Sequence, residues 1–123
     1  MENATARILL EELRQRLEEL IRTLATASRE VAGLLQEGAV ARGLNGLQEV
    51  LEAFQHFHRG LDFLLLADGK SYMFLAALKE KLEARYPLLY EALEAGDTVT
   101  LADVLSYEIA ETLEDYCCPG KVN

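Results

Sequence analysis

Cysteine, proline and glycine are scarce in this sequence, and each shortage excludes something. The only two cysteines, Cys117 and Cys118, are adjacent. Neighbouring cysteines strain a mutual disulfide, and two do not make the framework of a secreted scaffold. With 2 prolines and 8 glycines in 123 residues, the chain is neither loop-rich nor low in complexity. No apolar run approaches the roughly 20 residues of a membrane span; Phe63 to Ala67 is typical. Met1 is followed by Glu2 and a charged first segment, which does not read as a signal peptide. The expected location is cytoplasmic. No Lys or Arg occurs between Tyr86 and Gly120.

The formal net charge is −9 and the pI about 4.7. A chain this acidic repels phosphate backbones and anionic membrane surfaces, so neither nucleic acid nor membrane is an expected partner. Residues 1–67 carry ten acids and seven arginines, whereas residues 68–123 carry eleven acids and five bases. The second half would therefore meet something basic if it has a charged partner. The plainer reading is a solvated acidic face that maintains solubility.

What the sequence does contain is helix signal. Half the residues are apolar and 27% are charged, with strong helix formers prominent among them. Leu10, Leu13, Leu17, Leu20, Leu24, Ala27, Val31 and Leu34 recur at alternating spacings of three and four. That ladder is the apolar seam of one amphipathic helix from about Arg7 to Glu37. Leu9, Ile21 and Leu35 widen it on its flanks, as a helix packed by two or more neighbours requires. Asn3 or Thr5 is expected to cap its start, and Gly38 to stop it. Glu12–Arg16 and Glu18–Arg22 are spaced as i,i+4 pairs. A second helix is expected over about 40–66, on Leu47, Val50, Leu51, Phe54, Phe57, Leu61, Leu64 and Leu65. Gly33, Gly38, Gly43 and Gly46 would let the two backbones approach closely at one end, or mark a bend.

Asp68-Gly69-Lys70-Ser71 reads as a turn with Ser71 as the next N-cap. The third helix, over about 71–95, meets Pro87, which leaves either one kinked helix or two segments nearly in line; the second is favoured. Asp97 or Thr100 caps a shorter last helix ending near Tyr116, and Thr100 with Asp103 has capping-box spacing. The fold expected is all-α: a single-domain antiparallel up-down four-helix bundle with disordered tails at 1–6 and 117–123. Because the last helix is short, part of the first hairpin should lie uncovered, leaving an apolar patch for a second copy or another partner.

Motifs for chemistry are sparse. His56 and His58, the only histidines, point about 200° apart on a helix and cannot share a metal. His58 is placed to pair with Asp62. Glu91, Glu94, Glu108 and Glu111 form Glu-x-x-Glu pairs on consecutive helices, which could hold Mg²⁺ against a phosphate. This resembles the acidic pattern of all-helical nucleotide pyrophosphohydrolases. It departs from that family in lacking Glu-x-x-Asp in the second motif and a nearby base. Cys117 and Cys118 have no neighbouring ligand to complete a metal site, and no cofactor is expected.

All five tyrosines, Tyr72, Tyr86, Tyr90, Tyr107 and Tyr116, fall in the second half. Tyrosine favours half-wet interfaces, so these could frame a groove for a helical or basic peptide; equally, they could close the rim of the core. The segment from Asp97 through Val104 to Glu108 resembles one in small uncharacterised bacterial helical proteins. The resemblance implies an all-helical fold and a bacterial source, and no activity. The function expected is noncatalytic protein–protein interaction, chaperone-like by analogy with the bundles of export and motility systems, with a possible homodimer. A Mg-dependent phosphohydrolase is the alternative.

Overall fold

The computed structural model describes residues 2–117, with side chains from Ala4 onward. Of the tails expected at 1–6 and 117–123, residues 2–6 and Cys117 are helical, so Asn3 stands inside α1 rather than before it; residue 1 and residues 118–123 lie outside the described residues. Everything regular within them is helical. Helix α1 spans Glu2–Gln36, α2 Val40–Asp68 and α3 Met73–Ala95. The fourth helix, α4, runs through Thr98–Asp103, a π-helical stretch Val104–Ala110, and Glu111–Cys117.

The ends follow local chemistry. Gly38 and Gly96 adopt left-handed backbone, φ 85° and 66°, which costs a residue without a Cβ nothing. At each, two backbone N–H groups fold back on the helix end: Gly38 to Leu35 and Ala39 to Leu34, then Gly96 to Leu93 and Asp97 to Ala92. This double bond satisfies carbonyls that the ending helix would otherwise strand. Asp97 caps α4: its carboxylate accepts from the Thr100 N–H at 3.1 Å and the Thr100 hydroxyl at 2.6 Å. Thr100 is thus already helical, and the proposed Thr100–Asp103 box does not form. Ser71 is no cap either. It lies before the helix start, and its N–H and hydroxyl both donate to Asp68 within the turn. Thr5 sits inside α1, which reaches back to Glu2.

Pro87 does not divide α3, which is a single helix over Met73–Ala95. The two-segment reading therefore fails. A proline removes one backbone donor, but Leu82, Leu89 and Ala92 stay buried on both sides of it, and that packing outweighs the lost bond.

The π-helical stretch has a cause in the sequence. Leu101, Leu105, Ile109 and Leu113 are all buried and recur every four residues. In a pure α-helix such a row drifts by about 40° per step. Wider i→i+5 turns in the middle offset the drift and hold the row on the core. The Thr112 hydroxyl, also buried, donates to the Glu108 carbonyl at 2.5 Å within this region.

One apolar core joins all four helices. Helix α1 packs on both α2 and α4, while α3 touches α4 and, less extensively, α2. That cover shifts the α1 seam. Leu17, Leu24 and Val31 of the ladder are buried together with Ile21, Ala25, Ser28, Ala32 and Leu35. Ile21 and Leu35 are thus central rather than flanking, whereas Leu10, Leu13, Leu20 and Ala27 lie at the edge of the core and Leu9 is exposed. Of the four glycines expected to let the backbones approach, Gly43 and Gly46 do, against Leu35 and Val31, whereas a Cβ at Gly33 or Gly38 would meet nothing; Gly60 adds a close approach outside the expected set. A Cβ at Gly43 would come within 2.7 Å of Leu35, and one at Gly60 within 3.0 Å of Leu17.

Candidate interaction surface

Tyr116, next to last in the described part of α4, donates a hydrogen bond to Glu18 of α1 at 3.2 Å. Beyond that level the other helices continue. Two clefts lie near the last described residues of α4. One, of about 470 Å³, is lined by Phe74, Ala77 and Leu78 of α3, Thr112 and Tyr116 of α4, and Glu18. Lys81 and Asp115 complete its rim. The other, of about 520 Å³, lies between the start of α1 and the α2–α3 turn, among Arg7, Leu10, Arg14, Asp68 and Tyr72. Arg14 stands between them: it lines the second cleft and bonds Glu18, which lines the first, at 2.6 Å, as well as Glu11. These two carboxylates hold its pKa above the ordinary arginine value. Burial beside Glu18 pushes the Tyr116 phenol up to about 12. Arg14, rather than Arg16 or Arg22, carries the ion pairs of this face among the described residues.

Around these clefts the apolar side chains face water. Leu66 is 89% exposed and Phe74 83%, and Ile8, Leu9, Phe63 and Met73 are also exposed. They come from the first turns of α1, the last turns of α2 and the first turn of α3. Helical phase explains the four on α2 and α3. The buried row of α2 is Phe54, Phe57, Leu61 and Leu64, and Phe63 and Leu66 fall off it. The row of α3 is Leu75, Leu78 and Leu82, and Met73 and Phe74 fall off it. Sequence reading placed no site on these residues, although their phase was a visible signal.

The residues singled out from sequence are dispersed. Tyr86 is half-buried between α3 and α2, its hydroxyl 2.7 Å from His58 Nε2 and its ring edge-on to Phe54 and His58. Burial raises the Tyr86 pKa, with the nearby Tyr90 and Glu83 adding to it, and lowers that of His58. The expected His58–Asp62 pair is replaced by this one; Asp62 instead meets Lys79 at 3.5 Å. Tyr90 is exposed near Tyr86, and Tyr107 is exposed on α4 within the field of Arg29. Tyr72 and Tyr116 are half-buried against the core. Glu91 and Glu94 are exposed on α3. Glu108 lies 3.6 Å from Arg85, and Glu111 is exposed on α4. Among the described residues, no three His, Cys, Asp or Glu side chains group as metal ligands. Cys117 is half-buried against the core. No helix of the described residues is long and apolar enough to cross a membrane.

A family model described as Domain of unknown function (DUF8042) matches residues 12–117. No curated protein and no solved structure matches the chain.

Proposed function

The chain belongs to that family, and we propose that it is a noncatalytic interaction protein that engages another protein through the apolar end where α4 stops. We read its four helices as an antiparallel up-down bundle. In support, Gly43, Gly46 and Gly60 of α2 lie against Leu35, Val31 and Leu17 of α1, in reverse order. Likewise Phe54 and His58 meet Tyr86, while Asp62 meets Lys79. The single observation that carries the interaction reading is the exposure of Leu66 and Phe74, which among the described residues are the large apolar side chains most open to water. Leaving such a patch in water forgoes about 1.5–3 kcal/mol for each large side chain that a partner would bury.

A photo-reactive residue at position 74 tests it. Protein adducts should form from position 74 in cells, and none from position 91 on the exposed acidic side of α3. Adducts from position 91 alone, or from neither position, would contradict the proposal.

A further inference from the structure

We infer that the outer groove between α1 and α2 docks one amphipathic helix of another protein, apolar along one face, basic at its centre and acidic towards both ends. This surface is separate from the one at Leu66 and Phe74. A cleft of about 500 Å³ runs between the two helices, and its lining comes from them alone. Ala27, Gly46 and Ala53 are its small residues; Val31, Leu34 and Val50 are among its larger apolar ones. It continues into a neighbouring hollow of about 360 Å³ on α1, which shares Thr23, Ala27 and Glu30 with it. From Thr23 to Leu34 the lining follows about three turns of α1, roughly 17 Å at 1.5 Å per residue. That is the footprint of a docked helix, whose large side chains enter where the lining is small.

Two observations name the occupant. The first is a row on α1. Leu13, Leu20, Ala27 and Leu34 recur every seven residues, the repeat of a helix–helix seam, yet all four stay half-buried. The alternate row, Leu17, Leu24 and Val31, is buried by the chain's own helices. Ala27 and Leu34 line the groove, so at this level the second row still has room for a helix.

The second is charge. Arg22, Glu30, Arg42 and Glu49 line the groove or the adjoining hollow, and all are exposed. Among the described residues none of the four makes an ion pair or a side-chain hydrogen bond. Gly43 lies against Leu35 and Gly46 against Val31, which fixes the level of α2 along α1. Arg42 is then level with the last turn of α1, Glu49 with the turn that holds Glu30, and Arg22 is about 12 Å further on. The order along the groove is positive, negative, negative, positive. A helix with bases at its centre and an acid towards each end meets each of these charges with its opposite. A second copy does not. Two such grooves face to face about a two-fold axis would set arginine against arginine and glutamate against glutamate.

Two fluorescent synthetic helices of about 14 residues test this by anisotropy with the full chain. Both carry leucines at i, i+3, i+4 and i+7 spacing; one has lysines at the centre and glutamates at the ends, and the other has these charges exchanged. The first should bind at least about tenfold more tightly than the second. Glu30→Arg combined with Glu49→Arg should reverse that preference. Ala53→Arg, which fills the groove, should weaken the first peptide about tenfold or more; Ala27→Arg replaces it if that variant loses helicity by circular dichroism. Leu66→Ser and Phe74→Ser should leave both affinities unchanged, so the two surfaces stand or fall separately. Equal affinity for the two peptides, no binding of either, or binding that survives the groove substitutions overturns the inference. So does a wild type that doubles in mass by static light scattering and returns to monomer in Ala53→Arg, which would make a second copy the occupant.

Discussion

The two ends of this molecule are built from the same helices and meet water differently. Around α4, Ile21, Leu24, Leu82, Leu89, Leu105 and Ile109 are all at most 1% exposed. At the other end Leu61, Leu64 and Leu75 are as well buried, but Leu66 and Phe74 beside them face water. Apolar content does not distinguish the two regions; helical phase does, since Phe63, Leu66, Met73 and Phe74 lie off the buried rows of α2 and α3. The difference teaches where stability and where association are stored.

Truncating the closed region should have the largest effect. Leu105→Ala removes a fully buried side chain beside α1 and should cost about 2–5 kcal/mol in urea unfolding. Phe74→Ser, at the open end, should shift unfolding of the monomer by no more than about 0.5 kcal/mol. Equal losses from both would erase the contrast.

The closed region is also tied by a strut between α1 and α4. Arg29 Nε and Nη2 donate to the two Glu114 oxygens, each at 2.6 Å. Both side chains retain contact with water, so Arg29→Ala should cost only about 0.5–1 kcal/mol, and less at high salt. A salt-insensitive loss would mean that packing of the arginine stem, rather than its charge, holds α4 down.

The smallest effect concerns the thin α2–α3 contact. Burial lowers the His58 pKa from the ordinary 6.5, with Glu83 and Asp62 partly opposing and Lys79 adding to the shift. The folded state therefore favours the neutral ring, and the unfolded chain binds the proton first. Stability from this site is full above pH 6.5 and declines as pH falls below it towards the lowered folded value. Thermal melts between pH 7.5 and about pH 5 should show a shallow fall in Tm that His58→Gln reduces. An unchanged slope in His58→Gln would assign the dependence to other groups.

Much of the fold was legible in one dimension. Apolar periodicity located all four helices. Gly38, Gly96 and Asp97 announced their ends because left-handed backbone and side-chain capping need those residue types. Orientation within a helix was harder. Which half of the α1 ladder is core depends on α1 packing against both α2 and α4, a tertiary fact. The His58–Tyr86 bond spans 28 residues and the Arg29–Glu114 strut 85, so neither follows from local spacing. The π-helical stretch was foreshadowed by the four-residue row from Leu101 to Leu113. At the candidate surface Tyr72 and Tyr116 line the two clefts, and the exposed side chains near them add leucine, isoleucine, phenylalanine and methionine.

Amide hydrogen exchange measured at low and high protein concentration compares the two regions in one experiment. Protection that rises with concentration in residues 61–77, which hold Leu66 and Phe74, while residues 86–113 stay unchanged, is the result expected if association acts there. Concentration-dependent protection confined to residues 86–113 would contradict an association surface at Leu66 and Phe74.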